Sequence, residues 1–146
     1  MSTNSVTNKS TPTGLETPTA VVSVLSAMAG HLDLYDLPVG YEIEASKRGA
    51  EIILKAESPG ALATELIAWA NTLTAVTSEA RRLEQSDGVL LSVKGRLPEG
   101  VPVRAFGVAD YAEYARTARA EMEPGHRMSL SMDALRDISD IPGARP

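Results

Sequence analysis

The sequence predicts a single small α+β domain with a mainly antiparallel sheet and helices packed on one face of that sheet. A chain of 146 residues with 43% hydrophobic residues is large enough for one core. The hydrophobic period changes from that of a helix to that of a strand and back, and Pro and Gly mark the changes. We expect the order α-β-β-α-β-β-β-α, within a domain that covers residues 18 to 122.

The first helix is expected to follow a disordered leader. Residues 1 to 17 contain ten Ser, Thr or Asn residues, which bury too little apolar surface to become ordered. Thr17 and Pro18 then give a helix-start signal, and Gly30 is expected to end the helix. The apolar side chains expected on its buried face are Val21, Val22, Leu25, Met28 and Ala29.

A β-hairpin is predicted next. Tyr41, Ile43 and Ala45 alternate with polar residues, and residues 50 to 57 return as a second strand after the turn Lys47-Arg48-Gly49. A turn this short favours antiparallel pairing.

The second helix has the strongest signal in the chain. Ser58 and Pro59 form its start, and apolar residues follow at helical spacing as Leu62, Leu66, Trp69 and Leu73. Trp69 is the only tryptophan, and we expect it to anchor this helix to the sheet.

Three strands and a third helix are predicted in the second half. Residues 76 to 83 fit a strand or an extension of the second helix, and their branched side chains favour the strand. Residues 89 to 94 and 101 to 108 complete a meander. Asp110 and Glu113 then start a helix that is expected to run to Pro124-Gly125.

The C-terminal residues 123 to 146 are expected to form a flexible tail. Met132, Leu135 and Ile138 recur at three-residue steps after the capping residue Ser131, which predicts a short helix. Because an isolated helix of this length is marginal in water, we expect it to form only against a partner or a second copy of the chain.

Composition excludes several classes of function. The chain has no cysteine, so it has no disulfide, cysteine zinc site or thiol nucleophile, and a cytoplasmic location is expected. A net charge of −5 disfavours a protein that binds nucleic acid over its whole surface. The phosphate loop, the dinucleotide-binding glycine motif, the nucleophile elbow and the H-E-x-x-H zinc motif are all absent.

Two groups of polar residues are weak candidates for a metal site or a catalytic site. His31, Asp33 and Asp36 are potential metal ligands, although Asp residues after a helix usually bond local backbone, so no metal or other cofactor is expected. Glu42 and Glu44 share one strand face at a spacing compatible with acid–base catalysis, but such a pair is more often a solvated surface.

A basic sheet face is the main candidate binding surface. Lys94, Arg96 and Arg104 belong to the meander and could contact an anion such as a phosphate group if they lie on its outer face. The alternative is that these charges only protect the sheet from aggregation. Phe106 is the only phenylalanine, so no aromatic cluster is available to stack bases.

Several packing positions carry a family resemblance. Residues 32 to 38 followed by a hairpin, the apolar positions of the Trp69 helix, and the return of residues 89 to 107 resemble those of small uncharacterised actinobacterial proteins, some carried by phages or mobile elements. The resemblance covers about residues 20 to 108 and implies no catalytic residue or ligand.

Three functions therefore stay open. The first is a non-catalytic protein-binding or accessory module, with a protein partner or a second copy of the chain as its ligand and without membrane contact. The second is a nucleic-acid-associated regulator that uses the basic sheet face, and the third is a small enzyme with an unrecognised site.

Overall fold

The structure, a computed structural model, describes residues 18–38 and 42–139. The expected leader, residues 1 to 17, lies outside the described residues. The elements run in the order α1 (Pro18–Leu34), β1 (Glu42–Ser46), β2 (Gly49–Ile53), α2 (Pro59–Ala70), β3 (Thr74–Arg82), β4 (Gly88–Arg96), β5 (Pro102–Asp110), α3 (Tyr111–Ala118), β6 (Arg127–Leu130) and α4 (Met132–Ile138). The predicted α+β class and element order are confirmed, with one further strand and helix at the end.

The six strands form one sheet in the order β1-β2-β5-β4-β3-β6. The β1–β2 hairpin and the β3-β4-β5 meander are both antiparallel, as predicted. The hairpin joins the meander through a parallel pair, in which Ile52 of β2 lies beside Ala105 of β5. The short strand β6 pairs with β3 at the opposite edge.

The inner face of the sheet carries the core. Side chains that are fully buried there include Ile52, Leu91, Val93 and Ala105, and they form one apolar cluster with residues of all four helices. Helix α2 lies closest to the middle of the sheet, since a Cβ atom on Gly107 would come within 2.7 Å of the Leu62 side chain. Trp69 is fully buried and donates its indole N–H to the Pro38 carbonyl at 2.6 Å, which confirms it as a core anchor.

Side-chain caps define the starts of α2 and α3, and Ser131 caps α4 in the same way. The Ser58 hydroxyl accepts from Ala61 N–H at 3.0 Å, and the Asp110 carboxylate accepts from Glu113 N–H at 2.9 Å. Each cap satisfies a backbone donor that the helix itself cannot pair. Helix α3 ends sooner than predicted, because Arg119 takes a left-handed conformation (φ 54°) directly after Ala118.

The predicted end of the first helix is wrong, and of the five residues predicted on its buried face only Met28 is buried. Helix α1 continues through Gly30 to Leu34, and it buries Val24, Met28 and His31. Glycine lowers helix stability but does not forbid a helix whose other side is packed. The predicted core residues Val22 and Leu25 are 57% and 48% exposed.

The expected flexible tail is also wrong for residues 127 to 139. Strand β6 extends the sheet, and helix α4 packs on α2 and α3 with Leu135 and Ile138 essentially fully buried. The domain therefore reaches beyond residue 122. Residues 126 to 139 contain too few apolar side chains to predict a stable helix by themselves. Their stability comes from packing on the sheet and on α2 and α3, and the local sequence pattern does not reveal those contacts.

Candidate functional site

The outer face of the sheet is the best candidate for a binding surface. The buried residues of all four described helices join the cluster on the inner face, and no described helix covers the other side. Residues that pair across strands share a face, so Glu51, Arg104 and Lys94 form one continuous row on the outer side. The predicted basic residues therefore do lie on the outer face of the meander.

An apolar patch lies in the middle of this outer face. It consists of Ile53, Leu90, Phe106 and Val108, which belong to the adjacent strands β2, β5 and β4. None of the four belongs to the core cluster or packs against it. Val108 is 50% exposed, whereas Leu90 is only 9% exposed. The patch thus combines a packed base with an accessible rim, as many protein-binding surfaces do.

A basic cavity lies beside the apolar patch, at the end of the sheet where the β1–β2 turn meets β4 and β5. It has a volume of about 550 Å³, and the charged side chains that line it are Arg48, Lys94, Arg96, Arg104, Glu44 and Glu51. Four basic groups against two acidic ones give the cavity a positive charge, although the chain as a whole is acidic.

Two backbone features shape this cavity. Gly49 has a φ of 134°, and a Cβ atom there would lie 2.2 Å from the Pro102 carbonyl oxygen, so glycine allows the hairpin turn to approach β5. In β3, a register shift between Thr74 and Thr77 places Ala75 in a left-handed conformation (φ 54°). Bulges and positive φ values of this kind often occur beside functional sites.

The basic side chains differ in their partners. Arg104 donates to the Glu51 carboxylate at 3.1 Å and lies 4.3 Å from the centroid of the Phe106 ring. Arg96 donates to the carbonyl oxygen of Gly100 at 2.8 Å, which holds the side chain without neutralising its charge. Lys94 and Arg48 form no ion pair with a described residue. The charges least neutralised by carboxylates are therefore those of Arg48, Lys94 and Arg96.

The two glutamates of β1 lie at the acidic end of this face. A hydrogen bond between the side chains of Glu42 and Glu44, together with the repulsion between their charges, raises the pKa of Glu44. Both side chains are exposed. Both glutamates belong to β1, which is an edge strand of the sheet. Glu44 also lines the basic cavity.

The predicted metal ligands do not converge. His31 is buried in α1, where its Nε2 atom lies 2.8 Å from Thr72 Oγ1 and its ring stacks on Trp69. Asp33 and Asp36 are exposed. Within residues 18–38 and 42–139, no group of three or more His, Asp or Glu side chains is arranged to hold a metal ion.

The predicted partner-binding residues of the C-terminal segment are used within the domain. Leu135 and Ile138 are buried in the core, and the partly buried Met132 packs against the same core. The hypothesis that they form a free partner-binding helix is therefore wrong for this fold.

Sequence reasoning missed two parts of the outer face, namely Arg48 and the apolar patch. The signal for the patch was present, because residues 101 to 108 are apolar at most positions of both strand faces. Arg48 lies in a turn, and its approach to Lys94 and Arg96 depends on the parallel β2–β5 pairing.

Comparison with protein-family models, with curated proteins and with solved structures found no match to this chain. No helix in the described part of the chain is both long and apolar enough to cross a membrane.

Proposed function

We propose that this chain is a non-catalytic protein-binding module that holds an acidic, partly apolar segment of a partner protein on its outer sheet face. The single observation that carries the proposal is the apolar patch beside a positively charged cavity on the face that no described helix covers. The role requires no cofactor. We also propose that the protein acts in the cytoplasm. The absence of cysteine is compatible with this location.

The apolar patch supports a protein ligand. Val108, whose side chain is 50% exposed, would lose water on contact with apolar side chains, and burial of such groups is a main source of favourable free energy at protein interfaces. Ser92 lies directly beside Phe106 and is 3% exposed, so the patch has a closely packed base.

The charged cavity supports an acidic ligand. Lys94, Arg96 and Arg48 surround one concave region, and carboxylate groups of a partner could form charge-assisted hydrogen bonds with them. These contacts would be formed at the rim of the apolar patch, where charges mainly set orientation and the rate of association.

Nucleic acid is the second candidate, because the four basic side chains around one cavity could also contact phosphates. Against it stands the position of Arg104, whose guanidinium covers the Phe106 ring at 4.3 Å. A ring face that is already covered is less accessible to a base, and Phe106 is the only phenylalanine. This contact leads us to favour a protein ligand.

The proposal can be tested by capture with matched variants. The wild-type protein, V108E, the double variant K94E/R96E and the control L34E are immobilised and exposed to a nuclease-treated lysate of the native cell. Leu34 is a suitable control because it is 73% exposed and lies on α1, away from the outer face. Each captured protein is then purified and its binding to the four proteins is titrated.

We expect one acidic protein to bind wild type and L34E equally, and to bind V108E and K94E/R96E at least about tenfold more weakly. The proposal is wrong if every captured protein binds all four proteins equally. It is also wrong if nothing is captured until the nuclease is omitted, a result that would support the nucleic-acid function.

A further inference from the structure

The basic cavity on the outer face carries more positive charge than one carboxylate of a partner would neutralise. Four basic side chains and two carboxylates line it, so its formal charge is +2. Arg48 and Lys94 form no ion pair with a described residue. An Asp or Glu side chain of a partner brings a single negative charge and would leave half of the excess unbalanced. A phosphomonoester carries a charge of about −1.5 to −2 at pH 7 and balances it.

Separate segments of the chain bring these basic groups to one place. Lys94 and Arg96 lie two positions apart on the same side of β4, and Arg48 belongs to the turn between β1 and β2. Gly49 allows that turn to approach the carbonyl group of Pro102, and Pro102 pairs with Arg96 across the strands. The positive charges therefore converge on one concave region instead of forming a line along the surface.

Two of the basic side chains are held in place by the fold. The Arg96 guanidinium donates to the carbonyl oxygen of Gly100 at 2.8 Å. The Arg104 guanidinium is held by the Glu51 carboxylate at 3.1 Å and by the ring of Phe106. Because a guanidinium has five N–H donors, each of the two retains donors for a ligand. A phosphate group offers three acceptor oxygens, one more than a carboxylate, so several basic groups can bind it at once.

The lining of the cavity favours a phosphomonoester over nucleic acid. Each phosphodiester of a nucleic-acid backbone carries one negative charge, as a carboxylate does. Successive phosphodiesters also follow an extended strand, whereas the cavity is a single concave site. None of the residues that line it is aromatic, so a base would find no ring to stack on there.

We propose that the acidic group of the partner segment is a phosphorylated Ser or Thr side chain, and that phosphorylation of the partner promotes its binding in the cavity. This inference rests on the proposed function, because the apolar patch beside the cavity holds another part of the same segment. The cavity volume of about 550 Å³ lies within the range of ligand-binding pockets. It accommodates a phosphate group together with the short side chain that carries it.

The distance from the cavity to the apolar patch sets a spacing in the partner segment. Lys94 pairs with Arg104, and Leu90 pairs with Val108, four residues away on each strand. At about 3.3 Å per residue, these two pairs lie about 13 Å apart. A partner segment that runs along the strands in extended form covers this distance in four residues. A phosphorylated residue and an apolar residue four positions away point to the same side of such a segment, because its side chains alternate.

Titration of the full chain with synthetic fluorescent peptides tests the proposal. The reference peptide contains one phosphoserine, with a leucine four positions before it and another four positions after it, in a neutral polar sequence. Its counterparts carry Ser or Glu in place of phosphoserine, or both leucines moved by one position. We expect the reference peptide to bind at least about tenfold more tightly than each counterpart.

Lys47 supplies a matched control for Arg48. The two residues are neighbours in the same turn and both are exposed, but only Arg48 lines the cavity. R48A and K47A each remove one positive charge, so they change the net charge of the protein equally. R48A should weaken binding of the reference peptide at least about tenfold, whereas K47A should bind it like wild type. Far-UV circular dichroism would establish that both variants are folded.

Equal affinity for the phosphoserine and glutamate peptides would overturn this inference and leave the proposed function intact, since both peptides are acidic. Equal binding of the reference peptide by R48A and K47A would also overturn it. The same conclusion follows if inorganic phosphate or a single-stranded oligonucleotide binds as tightly as the reference peptide. If no peptide binds, the inference is wrong, and the capture experiment with V108E and K94E/R96E then decides the proposed function separately.

Discussion

The Nε2 atom of His31 lies 2.8 Å from the hydroxyl oxygen of Thr72, which joins α1 to the turn after α2. The imidazole also stacks on Trp69, with 6.1 Å between the ring centroids. One buried histidine therefore links the first helix to the residue that anchors the second.

We expect the protein to lose stability as the pH falls through the titration range of His31. Burial lowers the pKa of His31 below its usual value of 6.5, and the opposing effect of Glu99 is smaller. The unfolded chain then binds a proton that the folded chain resists, so the contribution of His31 is complete above pH 6.5 and is lost as the pH falls through the folded pKa. Urea unfolding of wild type and H31N from pH 8 to pH 5 measures this difference.

The control for this experiment is H126N, which changes the exposed histidine before β6. It should follow the wild-type pH dependence, whereas H31N should show a weaker one. Equal pH dependence in all three proteins would contradict the role assigned to His31.

Trp69→Ala should be among the most destabilising substitutions. The side chain is fully buried and its N–H pairs with the Pro38 carbonyl, so we expect a loss of about 3 to 5 kcal/mol in the free energy of unfolding. Trp69→Phe keeps most of the apolar contact but leaves that carbonyl without its partner, and it should cost less. Red-shifted native fluorescence of the single tryptophan, quenched freely by iodide, would show that the indole is exposed.

Leu135→Ala should destabilise the whole domain by about 2 to 5 kcal/mol, because this side chain is fully buried beneath α4. Amide exchange should also be slow at Leu135 and Ser139, whose N–H groups are bonded within α4. Asp133→Ala is the control, since its carboxylate is exposed and forms only a surface ion pair with Arg136. A small loss from Leu135→Ala with fast exchange would mean that residues 131 to 139 are a tail after all.

Glu65→Gln should stabilise the protein at neutral pH. One carboxylate oxygen, Oε1, is buried without a hydrogen-bond partner among the described residues, and burial raises the pKa of Glu65. The folded chain therefore favours the protonated form of Glu65. The contribution of Glu65 to the free energy of unfolding is complete at low pH and is lost as the pH rises through the folded pKa of this group. The gain in urea midpoint should be larger at pH 7 than at pH 4, and a gain that does not depend on pH would contradict the explanation.

Local signals predicted the elements well where side chains and backbone give the same answer. Ser58 and Asp110 cap their helices, and alternation located both the hairpin and the meander. The prediction failed at Gly30 and at residues 127 to 139, where packing on distant residues overrides a weak local pattern. Periodicity also assigned Val22 and Leu25 to the core, because α1 is apolar on both sides and the pattern cannot tell which side meets the sheet.

The candidate site was predicted only in part, for a related reason. Lys94, Arg96 and Arg104 were candidates because basic residues are concentrated in the predicted meander, and the strand pairing places them on one face. Their neighbours Arg48 and Glu51 come from a hairpin far away in the chain, and strand pairing over such a distance leaves no signal in a single sequence.

The parallel pairing of β2 with β5 also affects how the chain folds. Glu51 and Arg104 lie 53 positions apart in the chain, so their contact closes a long loop. Closing this loop costs chain entropy before the neighbouring residue pairs of the two strands can add stabilising contacts. Contacts of such long sequence separation slow folding. During synthesis, β2 has no strand to pair with on this side until β5 has left the ribosome, so one edge of β2 stays unpaired while the residues between the two strands are made.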